Sequence, residues 1–350
     1  MDLLLAVLLD WRIGDPAYRL HPIRLMGHLI TFQESVIRRC CKSPRGLQCS
    51  GGVIVVLNGV LAFIIPFFML RVTASFPLAQ HIINTFLLYT VLSAGCLRKE
   101  TIRVMHSLGV SVEHARRQIA MLVGRETADL NKEEITTAAV ETSAENTCDG
   151  VIAPLFFALL AGAPGAVCYK MINTMDSMLG YKTEKYRHIG FFSAKTDDVF
   201  SFIPARITAV CMLLGSLFRY PFLRALRIMI RDRRKHASPN SGYPESAVAG
   251  LLGIRLGGAH WYHGEYITKP HVGEPLRTVI PEDIHRVNGI MFRAQIVFLL
   301  IWILFTAAVL AGFQYSRIGS LENVRAQFLM FLDQITNNGV FNYLYSGAGI

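Results

Sequence analysis

Two polar motifs rich in carboxylates flank an uncharged stretch in the middle of this sequence. The first motif reads ETSAENTCD and places Glu141, Glu145 and Asp149 at i, i+4 and i+8, so that they share one face of a helix. Like charges at this spacing repel, which predicts a cation beside them. With Asn146 they offer oxygen ligands suited to Mg²⁺ bridged to a phosphate, or to an ammonium group. The alternative is a solvated acidic helix end.

The second motif reads KMINTMDSMLGYK and follows about twenty uncharged residues. Its residues Asn173, Asp176 and Gly180 lie at i, i+3 and i+7 and share a helix face, where the glycine leaves room for a ligand. Lys170 and Lys182 could bind phosphate oxygens as point charges. A basic anchor beside a membrane would explain the two lysines, but not the asparagine and the aspartate.

A third group combines two carboxylates with an arginine inside an apolar run. Asp197 and Asp198 precede the run, and Arg206 lies at i+8 from Asp198, two turns along the same predicted helix. An arginine in such a run faces protein or water rather than lipid. The pattern predicts a polar seam, with an internal ion pair as the equally good alternative.

Two loops contain further candidate ligands. Asn240 and Glu245 lie in SPNSGYPES, whose Pro and Gly residues predict an ordered loop. Asp15 and His21 lie near the N-terminus in a stretch dense in Pro, Gly and charge, which fits a surface loop and a binding site equally well.

The composition indicates an integral membrane protein. Of the 350 residues, 52% are hydrophobic and 17% charged, against about 25% charged in soluble proteins, and the mean hydropathy is +0.37. The net charge of +10 is concentrated in loops beside apolar runs, which favours the positive-inside pattern over nucleic-acid binding. The seven cysteines form no CxxC pair, so we expect reduced thiols and no metal cluster.

The apolar runs predict an all-α polytopic membrane protein with four or five transmembrane or re-entrant helices and amphipathic cytoplasmic helices. The runs are 53–70, 78–97, 151–169, 199–218 and 294–313, and the polar loops are 98–150, 170–198 and 219–290. We find no internal repeat, and therefore expect a single membrane-embedded domain, 1–350.

Strict counting of crossings separates the two central motifs. It places 170–198 on the opposite side of the membrane from 141–149, whereas a shared site needs both on one side. We therefore predict that 151–169 does not simply cross, and that GAPG at 162–165 is the point where the chain turns or kinks.

Motifs of familiar soluble enzymes do not occur. The sequence has no GxxxxGK[ST], no GxGxxG after a strand, no HExxH and no GxSxG. A nucleotide would therefore not be held by a P-loop.

The quoted motifs closely resemble the signature region of the adenosylcobinamide-phosphate synthase family (CobD/CbiB) of cobalamin biosynthesis. The strongest resemblance is ETSAENTCDGVIAPLFFALLAGAPGAVCYKMINTMDSMLGYK. The stretches LLDWRIGDPAYRLHPIRLMG, FSAKTDDVFSFIPARIT and SPNSGYPESAVAGLLGIRLGG resemble further parts of the family in the same order. Cys148 departs from the family pattern, which has serine there.

The resemblance implies an amide-forming ligase of the cytoplasmic (inner) membrane. Its substrates would be adenosylcobyric acid and (R)-1-aminopropan-2-ol or its O-phosphate, joined at the ring D propionate to give adenosylcobinamide or its phosphate. ATP as co-substrate and Mg²⁺ are implied in the same way, as are an active site on the cytoplasmic side and other late cobalamin enzymes as partners. A homo-oligomer is compatible with this reading, and no nucleic-acid partner is expected.

The resemblance also suggests roles for the candidate residues. Catalytic candidates are Glu141, Glu145, Asp149, Asp176 and Asp198, and metal candidates are Glu145, Asp149 and Asp197. Substrate-binding candidates are Asp15, His21, Asn146, Lys170, Asn173, Lys182, Arg206, Asn240 and Glu245. Two other functions stay open: a transporter of a small polar or corrinoid solute, because a broken apolar helix beside polar motifs is typical of midplane binding sites, and a membrane regulatory protein related to the family.

Overall fold

A computed structural model describes residues 1–14, 21–181, 183–262 and 264–315. The described chain is mostly helical, as the sequence predicts. The helices are α1 (Asp2–Ile13), α2 (Pro22–Cys40), α3 (Pro44–Val72), α4 (Pro77–Val91), α5 (Ala94–Val110), α6 (Val112–Ile119), α7 (Lys132–Thr147), α8 (Ala153–Leu179), α9 (Phe191–Phe200), α10 (Phe202–Leu214), α11 (Phe222–Asp232), α12 (Gly242–Leu252) and α13 (Glu282–Tyr315). Two strands, β1 (Arg255–Tyr262) and β2 (Glu265–Gly273), pair as an antiparallel hairpin.

Local sequence signals explain where several helices begin. Pro22 and Pro44 stand in the first turns of α2 and α3, where the missing N–H has no helical partner to lose. α7 begins with a capping box: the Asn131 side chain accepts a hydrogen bond from the Glu134 N–H at 3.0 Å, and the Glu134 carboxylate accepts one from the Asn131 N–H at 2.8 Å. This cap fixes the start of the helix that carries the first acidic motif.

Three described helical segments are long and apolar enough to cross a membrane: Pro44–Ser75, Lys132–Leu179 and Glu282–Val309. They indicate a membrane protein. Two of the five predicted runs are shorter than expected. Within the run 78–97, the helix α4 ends at Val91. It has 15 residues and covers about 22 Å. The run 199–218 is divided between α9 and the 13-residue α10.

The first part of the polar stretch 98–150 contains two helices, the end of α5 and all of α6. α5 ends at Val110, and the Ser111 side chain then accepts a hydrogen bond from the His114 N–H at 3.1 Å to start α6. A serine that caps a new helix interrupts the old one, because its backbone must leave the helical conformation. The two helices pack on each other and on the rest of the bundle.

The segment Lys132–Leu179 is not a straight helix, because it turns back on itself at Gly162. Ala161 and Gly162 have non-helical backbone angles, and Gly162 has φ +65°, a conformation that favours glycine. The rings of Phe157 and Tyr169 stack with centroids 5.1 Å apart across this turn, whereas twelve residues of straight helix would separate them by about 18 Å. The predicted turn in GAPG is therefore confirmed at its first glycine.

The fold-back returns the chain to the end of the molecule that carries the basic loop after α2. The Arg38 Nη2 donates a hydrogen bond to the Lys185 carbonyl oxygen at 2.8 Å, and its guanidinium lies 5.4 Å from the centre of the Tyr186 ring. The arm from 153 to 161 is about 14 Å long, less than half of a bilayer core of about 30 Å. The structure therefore supports a re-entrant hairpin. Such a hairpin keeps the two motifs on the same side of the membrane, whereas strict counting of crossings places them on opposite sides.

A short π-helical turn, Cys148–Ile152, joins α7 to α8. It leaves the Gly150 carbonyl oxygen available to Ser93, which donates to it from the backbone N–H at 3.0 Å and from the hydroxyl at 3.1 Å. Such turns are frequent at functional sites. Here the turn sets the direction of the Asp149 side chain at the end of the first acidic motif.

Candidate functional site

Two neighbouring cavities of about 470 and 960 Å³ lie where the two acidic motifs meet. We call them the small chamber and the large chamber. They are separated by a shared wall, defined by the residues that line both cavities: Glu145, Asp149, Asp176, Gly180, Tyr181 and His236. Both volumes fall in the range of about 300–1,000 Å³ that is usual for small-molecule sites.

Asn173 joins the two motifs directly. Its side-chain amide donates hydrogen bonds to Asp149 Oδ2 at 3.4 Å and to Asp197 Oδ1 at 3.3 Å. Residues 149 and 173 would lie about 36 Å apart in a straight helix, so this contact exists only because the chain folds back. The Ser201 hydroxyl donates to the other Asp197 oxygen at 3.4 Å. Both oxygens of Asp197 are therefore bound by the protein, and burial raises its pKa to about 6.

Glu141 is a buried anchor in the small chamber. It forms a buried ion pair with Arg125, and its Oε1 accepts a hydrogen bond from the Gly257 N–H at 2.6 Å. Both carboxylate oxygens thus have protein donors, one from the loop before α7 and one from β1. This geometry favours a role in positioning the chamber walls over direct contact with a substrate.

Glu145 and Asp176 are more available for a ligand. Glu145 Oε1 accepts one hydrogen bond, from the Ser241 hydroxyl at 2.9 Å. Among the residues that the structure describes, none donates a hydrogen bond to the Asp176 carboxyl. A Cβ on Gly180 would overlap Asp176 Oδ1, so the glycine leaves room for this carboxyl rather than for a ligand itself.

His236 and Glu245 lie close together, His236 in the shared wall and Glu245 in the small chamber. The Ser238 N–H donates to His236 Nδ1 at 3.0 Å, which leaves Nε2 to carry the proton of the neutral ring, 3.7 Å from Glu245 Oε1. Burial lowers the pKa of His236, so the uncharged ring is favoured. Burial, together with the nearby charges of Glu141 and Glu145, raises the pKa of Glu245 well above its usual value.

Arg206 is held rigidly in the large chamber. Its guanidinium lies 3.5 Å from the centre of the Phe202 ring and 4.2 Å from that of Tyr243, and its Nη1 donates to Asn240 Oδ1 at 2.9 Å. Asn240 in turn donates to the Asp198 carbonyl oxygen at 2.8 Å. The arginine is therefore pre-positioned by aromatic faces and an amide.

Asp198 and Arg206 do not form the internal ion pair that was the alternative to a polar seam. The predicted single helix is divided at Ser201 into α9 and α10. Asp198 instead pairs with Lys195 at 3.6 Å, and Asn240 links the Asp198 carbonyl oxygen to Arg206. Both residues nevertheless line the large chamber.

Most of the predicted site residues line one or both chambers. They are Glu141, Glu145, Asn146, Asp149, Asn173, Asp176, Asp197, Asp198, Arg206, Asn240 and Glu245. His21 is instead the N-cap of α2, where its Nδ1 accepts from the Ile23 N–H at 3.3 Å. Lys170 lies outside both linings but acts electrostatically on Asp149. Asp15 and Lys182 fall outside the described residues.

Arg125, His236 and Lys269 are among the charged or titratable residues of the site that the sequence did not predict. Arg125 follows an ordinary amphipathic segment, His236 lies in a basic loop that is typical of membrane anchors, and Lys269 lies on a strand that was not predicted. None of them belongs to a recognisable motif, so only the tertiary fold brings them to the carboxylates. The run Tyr266-Ile267-Thr268 of aromatic and β-branched residues before Lys269 was a signal that could have located its strand.

Comparison with known proteins assigns the family. The family model described as "CobD/Cbib protein" matches residues 3–291 of this chain. The chain belongs to the CobD/Cbib family. The matched range of this CobD/Cbib protein contains every residue that lines the two chambers.

Curated relatives support the same family assignment over nearly their whole lengths. A protein named "Cobalamin biosynthesis protein CobD" from Clostridium acetobutylicum is 45% identical over 306 residues, 87% of this chain and 97% of the relative. Proteins of the same name from Klebsiella pneumoniae and Listeria monocytogenes are 42% and 40% identical and cover 85% and 84% of this chain and 94% of each relative. These findings support a role for this CobD/Cbib protein in cobalamin biosynthesis. No solved structure matches the chain.

Proposed function

We propose that this CobD/Cbib protein is an amide-forming ligase that attaches 1-aminopropan-2-ol, or its O-phosphate, to the propionate carboxylate of adenosylcobyric acid. One observation carries the proposal: a single pair of chambers joins an anionic wall, which suits an ammonium or a metal ion, to a region with several cations, which suits phosphates. Only the propionate arm and the small amine need to reach the wall, so the bulk of the corrinoid can remain outside.

Amide formation would proceed in two steps. The propionate oxygen attacks the γ-phosphorus of ATP, which breaks the bond to ADP and gives an acyl phosphate. The amine nitrogen then attacks the carbonyl carbon, a C–N bond forms, the C–O bond to phosphate breaks, and inorganic phosphate leaves. Glu145 or Asp176 would take the proton that the ammonium group loses, because both carboxylates face the chambers with oxygens that accept few protein hydrogen bonds.

The donor set of the shared wall fits Mg²⁺ that is bridged to substrate. Among the described residues, no group of three or more His, Cys, Asp or Glu side chains is arranged to hold a metal ion by itself. Mg²⁺ is usually bound by one or two carboxylates together with substrate phosphates, so one or two of the wall carboxylates Glu145, Asp149 and Asp176 would hold it. When bound, the ion would neutralise charge on the transferred phosphoryl group. Asp197 is less suited, because Asn173 and Ser201 already bind both of its oxygens.

We also propose that the site opens to the cytoplasm and that the membrane is the inner membrane. The support is the contact of Arg38 with Lys185 and Tyr186, which links the segment after the hairpin to the basic loop 38–45. Basic loops of membrane proteins are retained on the cytoplasmic side. ATP and the corrinoid substrate would be available there.

The proposal is tested with purified protein in detergent or in vesicles. Adenosylcobyric acid, ATP, Mg²⁺ and 1-aminopropan-2-ol should give the amide product, detected by mass spectrometry. Glu145→Gln should lower kcat by about 100-fold or more, within the usual range for a group that transfers a proton or positions a metal, with an unchanged melting temperature. EDTA should abolish turnover and added Mg²⁺ should restore it.

The matched control is Glu133→Gln, because Glu133 is an exposed glutamate on the same helix α7, away from both chambers. It should keep wild-type turnover. Full activity of Glu145→Gln, or turnover that is indifferent to EDTA, would contradict the assigned roles. Accumulation of unmodified corrinoid in sealed vesicles, without any product, would instead support a transporter.

A further inference from the structure

We propose that an apolar groove beside α3 binds one phospholipid, with an acyl chain along the groove and the phosphate on Arg71. The groove is a cavity of about 1030 Å³ lined by α3, the second arm of α8 and α9, and it shares no lining residue with either chamber. The inference does not depend on the proposed function. It follows from the extent of the groove, the point where α9 ends and the charge of Arg71.

The groove extends along most of the apolar part of α3. On this helix its lining begins at Val55 and ends at Arg71, a rise of about 24 Å. A Cβ on Gly59 would meet no other atom within 4 Å, so the groove is open there. The α3 residues that line it between its two ends are Val56, Gly59, Val60, Phe63, Ile64, Phe67 and Phe68.

The groove exists because α9 covers only the first part of α3. A Cβ on Gly52 would lie 3.1 Å from the Phe192 ring, so α9 begins beside Gly52. α9 has 10 residues and rises about 15 Å, whereas α3 has 29 residues and rises about 43 Å. After Phe200 the chain continues into α10, which packs mainly on α12 and α13. The part of α3 that precedes Arg71 is therefore left without α9 beside it.

Arg71 supplies a positive charge at the end of the groove. It is exposed and lies in the last turn of α3, at the end of the apolar segment Pro44–Ser75 that is opposite the basic loop 38–45. Among the described residues, no carboxylate forms an ion pair with it, and the sequence has no acidic residue between Glu34 and Glu100. A guanidinium binds a phosphate group through two parallel hydrogen bonds. The charge therefore favours a lipid that carries a phosphate.

A phospholipid of one leaflet matches both the charge and the apolar length. Half of the bilayer core is about 15 Å, which corresponds to about ten residues of α3 before Arg71. In that stretch the lining contains Ile64 and Phe68, which are 41% and 57% exposed. Lipid tails are as apolar as these side chains, so a specific lipid must be selected by close packing and by its phosphate. The groove offers both.

A bound lipid would also support one wall of the large chamber, because α9 separates the groove from that chamber. Thr196 and Phe200, at i and i+4, line the groove, whereas Asp198 and Ser201 on the other face of α9 line the large chamber. A lipid packed between α3 and α9 therefore holds α9 in place from the membrane side. Its occupancy should raise the stability of the protein.

The test uses the purified full chain in detergent. Native mass spectrometry should show one phospholipid retained per chain. After removal of lipid, added dioleoyl phosphatidylglycerol should raise the melting temperature by about 5 °C near saturation, since a ligand that binds only the folded state stabilises it. Dioleoylglycerol, which has the same acyl chains but no phosphate, should raise the melting temperature much less.

Variants assign the two parts of the site. Arg71→Gln should weaken phosphatidylglycerol binding by about tenfold, the loss of one charged hydrogen-bonding group, and Arg71→Lys should retain most of the binding because it keeps the charge. Ile64→Trp fills the middle of the groove and should remove the stabilisation by lipid. The matched control is Ile296→Trp, because Ile296 is also 41% exposed and lies in another apolar segment, Glu282–Val309. It should respond to lipid as wild type does.

Three results would each overturn the proposal. Equal stabilisation of the wild-type protein by phosphatidylglycerol and by dioleoylglycerol would exclude the phosphate contact. Equal stabilisation of Ile64→Trp and Ile296→Trp by lipid would exclude the groove. A dimer without bound lipid that dissociates in Ile64→Trp would assign the groove to a second copy of the chain.

Discussion

At the scale of single residues, Glu141 shows how a buried charge is tolerated beside other carboxylates. It lies one turn before Glu145 on α7, where unpaired like charges would repel. The Arg125 guanidinium and the Gly257 N–H bind its two oxygens and offset this cost. The repeating carboxylates thus differ in function: Glu141 supports the chamber, and Glu145 faces its interior.

We predict that Glu141→Gln destabilises the protein more than Glu145→Gln does. The substitution leaves Arg125 buried without its carboxylate, and removal of one partner of a buried pair costs about 3–5 kcal/mol. Thermal unfolding followed by size-exclusion fluorescence in detergent measures the difference. The exposed Glu133→Gln is the control and should unfold close to the wild-type temperature. Equal melting temperatures for Glu141→Gln and Glu133→Gln would show that the pair is not structural.

Residue types and spacing were sufficient to predict the carboxylates of the site, because helical periodicity places i, i+4 and i+8 on one face in almost any context. The same spacing predicts a cation near them, and Arg125 is paired with Glu141. The spacing does not identify that cation, because Arg125 and Lys269 reach the site from segments with no periodic or motif signal. The role of His21 was open for the same reason: a histidine before a proline serves equally as a helix cap, which it is here, and as a ligand.

At the scale of elements, α11 is attached to the β-hairpin through Asp232. Its carboxylate forms an ion pair with Lys235 at 2.7 Å and with Arg231 at 2.8 Å, and it accepts a hydrogen bond from the Gly273 N–H at 2.9 Å. Burial alone would raise the pKa of Asp232, but these donors outweigh it and hold the pKa well below its usual value. Gly273 ends β2, the strand that carries Lys269 and Val272 to the small chamber.

This arrangement predicts how stability depends on pH. A carboxyl whose pKa is lower in the folded than in the unfolded state stabilises the protein at a pH above the unfolded value, about 3.9 for Asp. The stabilisation is lost as the pH falls from there towards the folded value. Asp232→Asn should therefore lower the melting temperature at pH 7, and the difference from wild type should shrink below about pH 4. Melting curves across this range provide the measurement, and a difference that is constant with pH would exclude the ionic contribution.

The elements that the sequence predicted least well are those decided by tertiary contacts. The hairpin β1–β2 lies in a glycine-rich stretch, in which Gly257 and Gly258 have positive φ, and such a stretch has weak strand propensity. The break between α9 and α10 precedes Pro204, which has no N–H to donate to the Phe200 carbonyl oxygen, although helical periodicity continues through it. The turn at Gly162 was predictable, because Gly and Pro residues close together inside an apolar run indicate a turn or a kink.

At the scale of the whole molecule, the fold-back of α8 determines which parts of the chain share a compartment. A helix that crossed at 151–169 would leave α7 and the segment after Leu179 on opposite sides. The hydrogen bond of 3.4 Å from Asn173 to Asp149 joins the two arms of the fold-back. Arg38 holds the segment after Leu179 beside the basic loop. Composition alone could not decide this, because a re-entrant hairpin and a spanning helix have the same hydropathy.

The most direct measurement of this claim is the membrane sidedness of single cysteines in a variant that lacks the seven native ones. Glu133→Cys precedes the hairpin, Lys185→Cys follows it, and Ser75→Cys lies in the turn between α3 and α4; all three positions are exposed. Sealed vesicles of known orientation are treated with a membrane-impermeant maleimide. We predict that positions 133 and 185 react from the same side and that position 75 reacts from the opposite side. Labelling of position 185 from the side of position 75 would contradict the re-entrant hairpin, and with it the single site that both acidic motifs form.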